Sequence, residues 1–413
     1  MVQAGKVLTE QSGGVNRAPM VISMTTSRQE IQRLKFDGAV DADGHILEPG
    51  NLWDQYIEAK YKPRAVRVAT TQHGSDYLEL DGRRSKVFGP GRLGGLSAMG
   101  ISRDKGWNAE LTKYGGGALF GAMDATQRLE RIERENLAAA FIYPTLSLLY
   151  ETEMEDVELA QACTRAYNRF IVDFCKGSNG RLIPIAHLSL GDPVAAAKEL
   201  ERAVKDGCKG AWVAQFVMTR KPHAHPDHDA VFRMAQALGV PFGIHPTIEP
   251  TWALPGRYDY SKYLRGKSYF LNVTAADAIR HAFTSFFQFG TFDKFPELKL
   301  VLLEAGAGWI SYWLDRLDAV WASAFGRNAA VKEKPSYYFQ RQCWISADPD
   351  ESALPAMVEL CGADRFFWAS DFPHPDHVGN YIAEVEELAH KLPEPARSKV
   401  LGENVLKVYG VAR

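Results

Sequence analysis

Three short stretches of this chain carry residues whose types and spacing could hold a metal ion. The first, Asp41-Ala42-Asp43-Gly44-His45, closes an apolar run that begins at Ala39. Residues two apart on an extended chain face the same way, so Asp43 and His45 can point together at one cation. The second is Phe242-Gly243-Ile244-His245-Pro246, where a histidine ends an apolar run directly before a proline. In the third, Phe366-Phe367-Trp368-Ala369-Ser370-Asp371-Phe372-Pro373-His374, a carboxylate follows a mostly apolar run. Burying Asp371 there is costly without a cation or strong hydrogen-bond donors. Singly, each stretch has a plainer reading: Asp43 as a cap in a polar turn, His245 as a packed histidine, Asp371 as a helix cap or salt-bridge acceptor. Together, two imidazoles and two carboxylates make a ligand set for a divalent ion.

Such residues need strand ends that converge. Apolar or β-branched runs recur at Ala39–Ala42, Ala138–Tyr143, Leu182–Ala186, Ala211–Ala214, Val240–Ile244, Leu298–Leu303, Cys343–Ile345 and Phe366–Ala369. Between them lie stretches of helical period, among them Asp192–Lys205, Ala230–Ala237 and Ala275–Phe289. Strands alternating with helices imply parallel strands joined by crossovers, and eight such units are the count of a closed (β/α)8 TIM barrel. A doubly wound open sheet is the rival, disfavoured because no Gly-rich phosphate loop follows the first strand. In a barrel, functional side chains come from the carboxyl ends of the strands, where Asp43, His45, His245 and Asp371 fall.

The spacing is uneven. The first two strands are separated by about a hundred residues, too many for a simple connection. Residues 50–117 are therefore expected to form an insertion that caps the mouth or makes a subunit contact. Pro246 to Phe270, rich in Pro, Tyr and Trp, is expected to cover the pocket. Residues 1–35 are read as a flexible extension without the order of a signal peptide, leaving 36–413 as the barrel. His223-Ala224-His225-Pro226-Asp227-His228 is read as a solvent-exposed loop, with Asp227 or Asp229 capping the next helix.

At 413 residues and 46% hydrophobic, the chain can bury a large core, and its formal net charge is only -2. No basic run points to nucleic acid, and no apolar stretch of about 18 residues points to a membrane span. Five scattered cysteines without a CxxC pair read as reduced thiols of a cytoplasmic protein. The partners expected are a small-molecule substrate and a second copy of the chain in a homo-oligomer, a dimer, or else a homologue in a hetero-oligomer.

Asp43-x-His45 followed by Glu48-Pro49 and Leu52-Trp53, then His245-Pro246, then Phe295-Pro296-x-Leu298-Lys299, then Ser370-Asp371-x-Pro373-His374 resembles the amidohydrolase-related (amidohydrolase 2) family. This is the branch of the amidohydrolase superfamily with the aminocarboxymuconate-semialdehyde and resorcylate decarboxylases. The resemblance runs from about Phe36 to the C-terminus. It implies a metal-binding barrel with Asp43, His45, His245 and Asp371 as ligands, and a metal-bound water or substrate oxygen at the reacting centre.

One departure bears on mechanism. Where the decarboxylase branch carries a proton-handling histidine after the sixth strand, this chain has Leu302-Leu303-Glu304-Ala305-Gly306-Ala307-Gly308-Trp309. Glu304 can be a general acid or base, a ligand, or a bridge to a second ion. Three carboxylates with two imidazoles suit manganese or iron, or a two-metal site, as well as zinc. His187 and His281 are candidates for a second ion's shell, and His374 for contact with substrate or for orienting its loop. The expected function is a metal-dependent hydrolase or decarboxylase of a small carboxylated or aromatic molecule, with Asp371 or Glu304 moving a proton. The alternative is a dinuclear Fe or Mn oxygenase on the same barrel. A third reading is an inactive partner subunit of an active homologue, against which the four retained ligands argue.

Overall fold

The computed structural model describes residues 31–101, 109–253, 262–264, 268–375 and 380–412. Each apolar run forms a strand: β1 (Val40–His45), β5 (Ala139–Tyr143), β6 (Leu182–Pro184) with β7 (Ala186–His187), β8 (Ala211–Ala214), β9 (Phe242–His245), β10 (Leu300–Leu302), β11 (Cys343–Ala347) and β12 (Phe366–Trp368). The third run is split in two. Pro184, which has no N–H to donate, ends the pairing with β5, and Ala186 begins the pairing with β8. All ladders among these strands are parallel, in the order β1-β5-β6 and then β7-β8-β9-β10-β11-β12. Two backbone bonds tie the last strand end to the first: the Asp371 amide donates to Asp43 O at 2.9 Å, and the His45 amide to Phe372 O at 2.6 Å. The chain is a (β/α)8 barrel, and this seam sets Asp43 and His45 beside Asp371.

Helices pack outside because their sequences supply starts and apolar faces. Asp124, Asp156 and Asp192 each accept a backbone N–H from the first turn of the helices Ala125–Arg134, Val157–Cys175 and Pro193–Asp206. The helix Asp229–Leu238 differs from expectation. His228 precedes it without a side-chain cap, and Asp229 lies in its first turn, where a negative charge favours the helix dipole. Strands β1, β5, β8, β9, β10 and β12 are buried along their whole length, as expected for parallel strands covered on both sides.

Between β1 and β5 the chain forms a short helix, Leu52–Tyr56, and an antiparallel sheet of β2 (Arg67–Thr70), β3 (Asp76–Leu80) and β4 (Arg83–Arg84). Leu78 and Leu80 are buried beneath it. This segment contacts the loops at the barrel mouth. The Glu153 carboxylate accepts from the Lys86 and Val87 amides at 2.8 and 3.1 Å, Tyr114 donates to Glu48 O at 2.9 Å, and the Met99 amide to Pro373 O at 3.4 Å. Most of the N-terminal extension, and much of the excursion from Pro246 to Phe270, lie outside the described residues. Leu34, assigned to the extension from sequence, is buried, and its amide donates to Glu135 O at 3.0 Å. Among the described residues no helix is long and apolar enough to cross a membrane.

Candidate metal centre

The end of β1 supplies two of the converging side chains. Its register with β5 shifts between Asp41 and Gly44, a local irregularity of the kind that re-aims side chains. Asp43 and His45 still face one point, with His45 Nε2 3.4 Å from Asp43 Oδ1. Asp41 turns away and serves as an anchor, accepting from the Ser370 amide at 3.0 Å and the Ser370 hydroxyl at 2.6 Å. The buried Arg128 guanidinium lies 3.7 Å from Asp41 and donates to His45 O at 3.1 Å. A Cβ on Gly44 would stand 2.4 Å from Arg128 Nη2 and 2.5 Å from Asp41 Oδ2, so any larger residue here requires this buried pair to shift.

His245 closes β9 with its Nε2 3.5 Å from Asp43 Oδ2 and 3.3 Å from His45 Nε2. Asp371, following β12, brings Oδ1 to 3.2 Å from His45 Nε2. Glu304, following β10, brings Oε2 to 3.3 Å from His245 Nε2. Both carboxylates sit on left-handed backbone, with φ of 49° at Asp371 and 43° at Glu304. For non-glycine residues this is a strained conformation that clusters at functional sites. Potential ligand atoms of Asp43, His45 and His245 lie within 4.8 Å of one another, as do those of His45, Glu304, Asp371 and His374.

The hydrogen bonds decide which atoms face inward. His45 Nδ1 bonds to Pro144 O, and His245 Nδ1 to Pro246 O at 2.6 Å. A carbonyl only accepts, so each Nδ1 carries the proton and each Nε2 presents a lone pair. Two lone pairs therefore face each other at 3.3 Å, beside carboxylates, with no donor between them. Both oxygens of Asp43, itself 1% exposed, lack a hydrogen-bond partner. A cation completes such a set, and burial without one is costly. Burial opposes the Asp43 charge, but positive charge on the His245 and His45 Nε2 side, whether a proton or a metal ion, holds its carboxyl far below the usual carboxylate range. Burial also lowers His45, and the neighbouring His374 lowers it further. For His245 burial is outweighed by Asp43, which raises it, so its Nε2 attracts a proton or a metal ion into the same place.

His374 is held at both nitrogens, Nδ1 at 2.7 Å from Asp371 Oδ1 and Nε2 at 2.9 Å from Thr145 Oγ1. That geometry makes it an orienting partner of Asp371. The structure separates the two histidines considered for a second ion from this cluster. His187 lies with Nε2 2.9 Å from Glu151 and Nδ1 3.0 Å from Tyr150, its ring stacked at 3.9 Å on Trp212, which itself packs 5.7 Å from His245. His281 sits on an exposed face of the helix Ala276–Gln288, on the wall of a cavity of about 510 Å³. That cavity is also walled by Gln215, Phe216, Arg220, Trp252 and Trp313. None of the cluster residues lines it, but Gln215 directly follows Ala214, the register partner of His245.

The run from His223 to His228 is only in part the exposed loop expected from sequence: Pro226 and Asp227 are exposed. His223 and His228 are buried, and one ring nitrogen of each is taken up within the protein, His223 Nε2 at 2.8 Å from Ala214 O and His228 Nδ1 at 2.7 Å from His223 O. The roles of Asp41, Arg128, Thr145 and Glu48 were not visible in the sequence. Glu48 stood in a recognisable motif, but its partners are about a hundred residues away.

Comparison with known proteins gives consistent matches. A family model described as amidohydrolase matches residues 138–411. Gamma-resorcylate decarboxylase from a Polaromonas species is 28% identical over 278 residues, 62% of this chain and 79% of that protein. Among solved structures, an amidohydrolase from Mycobacterium avium subsp. paratuberculosis superimposes with a TM-score of 0.76 at 20% identity, covering 91% of this chain and 99% of the other. A dihydroxybenzoic acid decarboxylase from Polaromonas, solved with bound manganese and the inhibitor 2-nitroresorcinol, gives 0.61 at 20% identity, covering 92% and 98%.

Proposed function

The chain belongs to the amidohydrolase family, and from that premise we propose that it is a metal-dependent decarboxylase of a small aromatic carboxylic acid. The observation that carries the metal dependence is the pair of imidazole lone pairs facing each other beside the orphaned oxygens of Asp43. Decarboxylation, in preference to hydrolysis or oxygenation, is supported by the curated relative, a decarboxylase of a hydroxylated benzoic acid. Asp43, His45, His245 and Asp371 would hold the ion. Manganese is our choice, because a carboxylate-rich set suits a hard ion and the Polaromonas structure holds it. Such an ion polarises substrate oxygens and steadies the charge that develops as a bond to carbon breaks.

The protein's own groups supply position and a proton. Thr145 and Asp371 fix His374, and the Pro144 and Pro246 carbonyls fix the two ligand imidazoles. The Glu304 side chain is 24% exposed, against 0–2% for those of His45, His245, Asp43 and Asp371. It is therefore the group able to exchange a proton with substrate and solvent. As the bond from ring carbon to carboxylate breaks, the electron pair stays on the ring carbon and CO₂ leaves. The Glu304 carboxyl proton passes to that carbon, and Glu304 regains a proton from water. The aromatic-walled cavity beside the β8 and β9 ends is the expected route for the ring.

The test is a panel of hydroxybenzoic acids incubated with manganese-loaded protein, following CO₂ release and loss of the acid's absorbance. Turnover of an ortho-hydroxylated benzoate that stops on chelation supports the reading. Hydrolysis of amides or lactones with no aromatic acid consumed overturns it.

A further inference from the structure

Glu48 has no part in the chemistry above, yet it is wholly buried only three residues after His45. Its carboxylate takes three backbone donors from one turn: Thr145 N at 2.9 Å and Leu146 N at 2.8 Å on Oε2, and Ser147 N at 3.1 Å on Oε1. That turn follows β5 and bears on the metal centre at two points. Pro144 O receives the Nδ1 proton of His45, and Thr145 Oγ1 meets His374 Nε2 at 2.9 Å. His374 in turn reaches Asp371 through Nδ1. One buried carboxylate thus fastens the loop that orients an imidazole ligand and the partner of a carboxylate ligand.

We propose that Glu48 and Thr145 are positioning residues for the metal centre, a clamp that sets the directions of His45 and Asp371 and so the affinity for a divalent cation. The clamp suits the task chemically. A carboxylate can satisfy three amides at once, because each oxygen accepts two bonds. An amide in its place turns an NH₂ group toward at least one of those donors. The Thr145 hydroxyl, able to donate or accept, meets whichever tautomer His374 holds; a donating hydroxyl leaves Nδ1–H for Asp371. Outer partners of this kind are worth about 10–100-fold in metal affinity.

This inference rests on reading the cluster as a metal site, and the experiment separates the two. Manganese dissociation constants are measured by chelator competition on the wild-type chain, Thr145→Val, Thr145→Ser and Glu48→Gln. Thermal unfolding of the metal-free proteins and the EPR spectrum of bound Mn(II) are recorded alongside. Thr145→Val, isosteric but without the hydroxyl, is expected to weaken binding about tenfold or more and broaden the spectrum, with little change in metal-free melting. Thr145→Ser, which restores the hydroxyl, is expected to recover the wild-type constant. Glu48→Gln should weaken binding at least as much as Thr145→Val, and if it does not fold, the Thr145 pair still decides. Equal constants for wild type and Thr145→Val overturn the clamp while leaving the metal site standing. Equal losses in Thr145→Val and Thr145→Ser also overturn it. Failure of the wild-type chain to bind manganese overturns both readings.

Discussion

Glu304→Gln is the change that discriminates best among roles at this centre, because it preserves shape and removes the ionisable proton. Two magnitudes compete. As a general acid, Glu304 is worth about 10²–10⁴-fold in turnover, or about 3–5 kcal/mol of barrier. As a ligand, its contribution follows from distance and exposure. A carboxylate and a cation about 3.3 Å apart, the spacing observed between Glu304 Oε2 and His245 Nε2, would be worth about 5 kcal/mol at an effective dielectric of about 20. Solvent screening of a side chain that is 24% exposed brings this to about 2–3 kcal/mol, roughly 30–150-fold in metal affinity. We expect the first outcome: turnover reduced by about 10²–10⁴-fold, with the manganese constant held within about threefold. The assay pairs steady-state consumption of the aromatic acid at saturating manganese with chelator competition on the same preparation. A 30–150-fold loss of affinity would make Glu304 a ligand and refute the proton-donor role. Unchanged turnover and unchanged affinity would remove both roles.

Three further expectations follow from the geometry. His245→Ala should abolish most manganese binding while leaving the circular dichroism of a folded barrel, and full occupancy in this variant would contradict the ligand assignment. Gly44→Ala should destabilise the protein by about 2–4 kcal/mol in urea, because its Cβ would collide with the buried Asp41–Arg128 pair; a loss under about 0.5 kcal/mol would show that the pair can move aside. Glu351 accepts from the Ala307 amide at 2.8 and 2.9 Å, and burial, with Asp348 and Asp350 nearby, pushes its carboxyl from 4.5 up to about 7. A raised folded pKa favours the neutral form, so its contribution is full below pH 4.5 and is lost as pH rises through 7. Relative to Glu351→Gln, the wild-type chain should therefore lose up to about 3 kcal/mol between pH 5 and 8, and a difference that does not vary with pH would refute this.

The sequence by itself determined the barrel and the ligand candidates. Each strand is a run of apolar residues with a helical stretch behind it, and both periods are local properties that survive without knowledge of the fold. Asp43, His45, His245 and Asp371 were legible for the same reason, since a polar residue closing an apolar run must stand at a strand end. Tertiary structure alone decided what surrounds them. It placed His187 against Glu151, Tyr150 and Trp212, and His281 on a cavity wall, although as residue types both were equal candidates for ligands. It buried His223 and His228 in a segment whose composition reads as solvent-exposed. It also brought Glu48 to the turn at Thr145 and Asp41 to Ser370, contacts between residues about 100 and 329 positions apart. Such pairings are set by barrel closure, which lays the last strand end against the first. Spacing along the chain carries no trace of it.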